Sequence, residues 1–232
     1  MTRALYLDDS YLRSFDAVVI DVDDTGVYLD RTAFYPRSGG QPSDLGLLIR
    51  GDRLFRVEGV EPSEHGICHR VHGLSPGDEV RGEIDWARRY RIMRSHTACH
   101  ILSAVIFRET GALITGNQIN TDRSRVDFSL EAFDKSMIET YVGMANDIIK
   151  ESHPVRVKVM TREEAMEIPY LVKLAKNVPE RESVRIIEIE GVDLQACGGT
   201  HVRNTSEIRE IRLVKAENKG KSNRRVYFEL VG

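Results

Sequence analysis

Two short stretches of the 232-residue sequence carry residue types that bind metals. "RSHTACH" sets His96 and His100 four positions apart, and "ACGGTHV" does the same for Cys197 and His201. On a helix, residues four apart share a face, so the first pair can aim both imidazoles at one point. Alone this pair is a weak signal, because one packed and one solvated histidine give the same spacing. The second pair sharpens it. Gly198 and Gly199 disfavour a continuous helix, so Cys197 and His201 are expected on a tight loop after the strand "RIIEIEGVDL", where glycine lets the backbone curl. Three imidazoles and one thiolate suit the borderline softness of zinc. With four protein ligands such an ion is closed and orders its surroundings. With three, an open position lets it acidify a bound water for attack on a carbonyl. Spacing alone leaves both open.

A second metal-rich stretch, "EHGICHRVH", holds His65, Cys68, His69 and His72. It reads as a strand, in which Cys68 and His69 point to opposite faces, and no second pair nearby completes four ligands. A half-exposed barrel strand is the better account. Cys99 lies between the helix histidines on another face and is expected in the core.

These residues need elements to position them. The first ninety or so residues alternate strand-like runs such as "DAVVIDV", "LGLLIR" and "EVRGEIDW" with turn signals such as "DDTG", "SGGQPSD" and "LSPGD". Many short strands without intervening helices predict a small β-barrel. The pattern then changes. Asp85 can cap a helix from about Trp86 to Arg108. A second is expected from about Leu130 to Lys150, with Phe133, Met137, Tyr141 and Ile148 facing inward. A third begins at Thr161, which with Glu164 forms a capping-box pattern. Strands such as "RVDFSL", "VRVKVM" and "RRVYFELV" surround these helices. The expected architecture is therefore a β-barrel domain over 1–88, followed by an α+β domain with an antiparallel sheet and a zinc site over 89–232.

Composition narrows the function classes. No apolar run approaches the roughly 20 residues of a membrane helix, and "MTRALYLDDSYLRSFD" lacks the features of a signal peptide. A cytoplasmic location is expected. Three scattered cysteines make no disulfide framework. A net charge of −3 argues against indiscriminate coating of nucleic acid, but allows a local basic face. Arg88, Arg91 and Arg94 recur along the histidine-bearing helix, and "ENKGKSNRR" adds Lys219, Lys221, Arg224 and Arg225. Both sets are candidates for phosphate contact, against the plainer reading of solvated charge.

Four phrases taken together resemble the alanyl-tRNA editing domain, found inside alanyl-tRNA synthetases and as freestanding AlaX proteins. They are "LDRTAFYPRSGGQPSDLG", "DWARRYRIMRSHTACHIL", "GNQINTDRSRVDFS" and "CGGTHVRNTSEIREI", in that order along nearly the whole chain. The resemblance implies a translation-factor-like barrel followed by an editing domain shared with threonyl-tRNA synthetase. It implies one zinc per chain, held by His96, His100, Cys197 and His201. It also implies a substrate-recognising "SGGQ" loop, as in the medium AlaX form, with Gly39, Gly40 and Gln41; Thr32, Asn117 and Thr200 join the expected recognition set. Asn117 stands where many relatives have Ser, and Arg37 where Glu is common.

The implied reaction is hydrolysis of the ester on alanine tRNA mischarged with serine, and more weakly with glycine, sparing Ala-tRNA(Ala). A pocket built for alanine cannot strongly reject serine, whereas an editing site can hold the extra hydroxyl. The chain has no Gly-rich ATP fingerprint and no room for a synthetase site, so action in trans without ATP is expected. No carboxylate is placed by spacing as a general base, and a ribose hydroxyl of the tRNA is an alternative. Two other readings compete. One is a non-catalytic tRNA-binding module with a structural zinc. The other is a zinc hydrolase of small esters.

Overall fold

The computed structural model describes residues 2–131, 134–171, 182–220 and 222–232. The chain divides into two compact units, Met1–Ile92 and Met93–Gly232.

In the first unit the strands are β1 (Arg3–Ala4), β2 (Ser14–Asp23), β3 (Gly26–Leu29), β4 (Arg31–Thr32), β5 (Gly46–Arg50), β6 (Arg53–Val57), β7 (Val60–Ser63), β8 (Gly66–His69) and β9 (Glu79–Ile84). Seven of them form one sheet in the order β6-β5-β9-β2-β3-β8-β7, and every pairing in it is antiparallel. Along β2, Phe15, Ala17 and Val19 are buried while Asp16, Val18 and Ile20 are exposed, the alternation of a strand with one face on the core. The first half of β2 pairs with β9 and its second half with β3, across an irregularity between Val19 and Asp21. Such a bulge bends a strand, and the sheet curls around Phe15, Leu29, Phe34, Leu48 and Val80. In place of the expected closed barrel, the first unit is a curled half-barrel whose ends are β6 and β7.

A buried ion pair locks this unit. Arg89 is fully buried and binds Asp44, with its Nε 2.9 and 3.0 Å from the two carboxylate oxygens. The rest of its guanidinium donates to the Ser10 carbonyl at 2.8 Å and the Ala33 carbonyl at 2.6 Å, and Asp44 also accepts from the Tyr35 amide at 2.6 Å. Each of its three nitrogens finds a partner, as a buried guanidinium requires.

Helix α1 (Trp86–Thr110) opens with the Asp85 carboxylate accepting from the Arg88 amide at 3.1 Å. From Met93 to Ile106 every residue is buried, so α1 is the central helix of the second unit. Around it come β10 (Ile114–Gln118), β11 (Ser124–Phe128), α2 (Lys135–Lys150), β12 (Val155–Thr161), α3 (Arg162–Glu167), β13 (Ser183–Ile189), β14 (Asp193–Ala196), β15 (Glu210–Asn218) and β16 (Arg224–Val231). They build two antiparallel sheets, β10-β11-β16-β15 and β12-β13-β14.

Asp134 caps α2, accepting from the Ser136 amide at 2.9 Å, so this helix starts later than the apolar pattern suggested. Its inner face carries Ile138, Tyr141, Val142, Ala145, Ile148 and Ile149. Met137, expected inward, is 39% exposed, and Phe133 lies outside the described residues. The capping box at α3 is present, with the Glu164 amide donating to Thr161 Oγ1 at 3.2 Å and the Thr161 amide to Glu164 Oε2 at 2.8 Å. No helix among the described residues is long and apolar enough to cross a membrane.

Candidate metal centre

His96 and His100 sit one turn apart on the buried stretch of α1, with ring centroids 5.3 Å apart. Cys197 and His201 arrive from the loop after β14. Strand β14 pairs with β13 so that Gln195 lies opposite Ile187 and Asp193 opposite Ile189. The Cys197 amide continues the ladder to the Arg185 carbonyl at 3.0 Å. By strand alternation Asp193, Gln195 and Cys197 share one face. Leu194 and Ala196 take the other, where they join Ala165, Leu171, Val184 and Ile186.

The loop is pinned by Arg185, whose guanidinium donates to the Cys197 carbonyl at 2.8 Å and the Gly199 carbonyl at 2.9 Å. Neither Gly198 nor Gly199 takes a left-handed φ. A Cβ built on Gly198 would meet nothing within 4 Å. The curl expected to need glycine is made with ordinary backbone angles, and what Gly198 leaves is open space beside Cys197.

The result is a four-residue cluster. The His201 ring lies 4.3 Å from that of His96 and 4.7 Å from that of His100. Cys197 Sγ is 3.4 Å from His201 Nε2 and 3.7 Å from His96 Nε2. One ligand atom from each of the four falls within 4.8 Å of all the others, so the cluster could hold a metal ion.

The groups behind the ligands settle which ring nitrogens face inward. Asp193 Oδ2 is 3.0 Å from His100 Nδ1, so that nitrogen carries a proton and Nε2 turns toward the cluster. Thr97 Oγ1 gives its one proton to the Met93 carbonyl at 3.0 Å and accepts from the Val202 amide at 3.3 Å. Its 3.1 Å contact with His201 Nδ1 must therefore be an N–H donation, which again frees Nε2. Behind two of the three rings there is thus the carboxylate or hydroxyl that a metal-binding histidine needs.

The electrostatics agree. Burial works against a charged His100, but the Asp193 hydrogen bond and the Cys197 sulfur outweigh it and lift its pKa to about 9. Burial would raise the Cys197 thiol, yet His96, His201 and the hydrogen bond from His100 hold it well below the usual thiol range. The Gly199 amide adds an N–H toward Sγ at 3.3 Å. Burial, then the neighbouring His96, pushes His201 well below the usual imidazole range. A buried thiolate beside imidazoles, with His100 giving up its proton to an incoming cation, is a donor set fitted to a cation of borderline softness.

The remaining expected site residues lie in varied settings. Gly39 and Gly40, with φ of +57° and +85°, form a two-residue turn in which Ser38 and Gln41 exchange backbone hydrogen bonds of 3.1 and 2.8 Å. Gln41 and Thr200 are buried, and Asn117 is half-buried on β10 opposite Val126. Thr32 is fully buried, with Oγ1 2.8 Å from His69 Nε2 and accepting from the Phe34 amide at 3.1 Å.

His69 is thus a satisfied core histidine, its Nδ1 lying 3.3 Å from the Val27 carbonyl, and burial lowers its pKa to about 4. Cys68 is also buried, so the strand expected to be half-exposed is covered at both positions. Cys99 is in the core, where burial pushes its thiol up to about 12.

Three of the basic residues expected at phosphates serve the fold instead. Arg94 is buried and donates to the Ile208 and Gly232 carbonyls at 2.8 and 2.7 Å. Arg224, also buried, donates to Asn218 Oδ1, the Gly220 carbonyl and the Glu131 carbonyl. Arg225 binds Asp127 through two contacts of 2.7 and 2.8 Å. Arg88 and Arg91 are half-buried, Arg88 donating to the Ser43 carbonyl at 3.1 Å. Lys219 is exposed and pairs with Glu217 at 3.1 Å, while Lys221 lies outside the described residues. Sequence reasoning missed Asp193, Thr97 and Arg185. Only Asp193 carried a signal, four positions before Cys197 on a strand.

The chain is similar to several known proteins. Residues 184–227 match the profile described as "Threonyl and Alanyl tRNA synthetase second additional domain". Residues 8–88 match that described as "tRNA synthetases class II (A)". The alanyl-tRNA editing protein AlaX-M of Methanosarcina acetivorans is 52% identical, covering all of both chains. That of Saccharolobus solfataricus is 45% identical over 98% of each. An alanine–tRNA ligase of Pyrobaculum aerophilum is 39% identical over 93% of this chain, but over only 25% of its own length. The chain therefore belongs to the AlaX-M family of alanyl-tRNA editing proteins.

Proposed function

We propose that the protein hydrolyses the aminoacyl ester of mischarged alanine tRNA in trans, removing serine and more slowly glycine, sparing Ala-tRNA(Ala) and using no ATP. The supporting observation is the convergence of His96, His100, Cys197 and His201, with Asp193 and Thr97 fixing two of the rings. Membership of a family whose relatives are named alanyl-tRNA editing proteins supplies the substrate class.

We assign the ion to zinc, one per chain. Bound there it would supply a Lewis-acidic centre for the aminoacyl group. The chain's own residues do the rest. Asp193 holds His100 in one tautomer, Thr97 does so for His201, and Arg185 fixes the loop that carries Cys197. Gly198 is exposed, so a substrate group can reach the loop that carries Cys197. On this reading residues 1–88 are a translation-factor-like barrel and 89–232 the editing domain. The Gly39-Gly40 turn with Gln41, Thr32, Asn117 and Thr200 serves recognition, while Arg88, Arg91, Lys219 and Lys221 meet phosphate. The protein works in the cytoplasm.

The closeness of four protein donors favours a second reading, in which a closed zinc is structural and the protein binds tRNA without turnover. One experiment separates them. The purified protein, assayed for metal content, is given Ser-tRNA(Ala), stripped with a chelator, and reloaded with zinc. The editing reading expects one zinc per chain, with turnover lost on stripping and restored on reloading. Tight tRNA binding by zinc-loaded protein without hydrolysis establishes the second reading.

A further inference from the structure

Gln195 is 4% exposed, and its Oε1 is buried with no hydrogen-bond partner among the described residues. A buried amide oxygen left unpaired costs about 1–3 kcal/mol, and native proteins rarely keep one without a use for it. Its position indicates the use. On β14 it lies between Asp193, which holds His100 Nδ1, and Cys197, which touches His96 and His201, and all three side chains share a face. The orphaned acceptor is therefore on the face of β14 that builds the metal cluster. Gly198, three residues along, is exposed, so the same loop reaches solvent.

We propose that Gln195 is a specificity-determining residue whose side-chain carbonyl accepts a hydrogen bond from the hydroxyl of a misplaced seryl group. This rests on the editing reading given above. A serine hydroxyl supplies the missing donor. An alanine methyl cannot, and would leave the oxygen buried and unpaired, so the site penalises the correct amino acid with a polar group it already keeps unsatisfied. Rejection of this kind is far stronger than a hydrophobic pocket achieves against one added atom. The glycyl group has neither hydroxyl nor methyl and gains nothing from Gln195.

Gln195→Met keeps the length and apolar packing of the side chain and removes the acceptor. The variant should lose about ten- to a hundredfold in kcat/KM on Ser-tRNA(Ala). Its kcat/KM on Gly-tRNA(Ala) and its zinc content should match wild type. Its unfolding midpoint should be equal or higher, because a buried unpaired acceptor has gone. Equal losses on the seryl and glycyl substrates, or an undiminished serine preference, would overturn the proposal. Binding of non-hydrolysable 3′-amide analogues, seryl- and alanyl-aminoadenosine, keeps this separate from the editing reading. Wild type should prefer the seryl analogue by about tenfold or more, and Gln195→Met should not. That preference in a protein without turnover would refute the deacylase reading and leave the Gln195 subsite standing. No preference in wild type would refute the subsite whatever the turnover.

Discussion

Asp193→Ala tests the centre through a residue that is not itself a ligand. The Asp193 side chain is wholly buried, and its Oδ2 lies 3.0 Å from His100 Nδ1. Alanine removes the acceptor, leaves a buried N–H unpaired and frees the ring to take the other tautomer. A hydrogen bond to a charged group contributes about 1.5–3 kcal/mol. At 1.36 kcal/mol per factor of ten, zinc binding should weaken by roughly ten- to 150-fold, within the range usual for the group behind a metal ligand. Asp193→Asn keeps an acceptor but loses the charge, so it should fall between wild type and alanine. Zinc affinity is read by competition with a chromophoric chelator at neutral pH. Unfolding of the zinc-loaded proteins shows that each variant folds. An alanine variant that folds and binds zinc as wild type does would mean that His100 does not face the ion through Nε2, and the tautomer argument would fail.

Further outcomes follow from the same structure. Asp44→Ala strands the fully buried Arg89 and should cost about 3–5 kcal/mol in urea unfolding, whereas Asp44→Leu with Arg89→Met should recover most of it; a single variant within 1 kcal/mol of wild type, an order-of-magnitude threshold, would contradict the pairing. His69 has a folded pKa of about 4 against an unfolded value near 6.5, so between those values the unfolded chain binds the extra proton. Stability should therefore fall as pH drops from about 6.5 to about 4, by on the order of 3 kcal/mol, and the His69→Gln protein should lack this component of the slope. Gly198→Ala adds a Cβ that, chain neighbours aside, has no described atom within 4 Å and needs no left-handed φ, so it should unfold within about 0.5 kcal/mol of wild type yet slow turnover by crowding substrate at the exposed loop. An unaffected rate would show that the space is not used.

The four residues of the cluster were legible because each pair carries its own geometry. The i, i+4 repeat of a helix sets His96 beside His100, and a short loop brings Cys197 near His201. Their supports were harder to see. Thr97 looks like any helix threonine until the loop arrives at Val202. Arg185 is read as a strand residue until its guanidinium meets the Gly199 carbonyl.

The settings of Arg94, Arg224 and Arg225 were hidden for a related reason. Charge in a sequence says nothing about which carbonyl will be near, and Arg94 finds its partners at Ile208 and Gly232, far along the chain. The central position of α1 in its unit explains the burial of Arg94, since an arginine on a helix stretch buried all round has no solvent face to occupy. In the first unit the strands were visible from alternation and turns. The curl came from the irregularity in β2, which leaves no mark in a pattern of apolar and polar residues.

The central claim is that the cluster serves ester hydrolysis on a mischarged tRNA. Deacylation of Ser-tRNA(Ala), beside Ala-tRNA(Ala) and Ser-tRNA(Ser), by wild type and His96→Ala tests it most directly. The account predicts rapid hydrolysis of the first substrate alone, lost in the variant. Folded, zinc-loaded wild type that turns over none of the three would contradict it and leave the paired histidines and the Cys197 loop as a structural clamp.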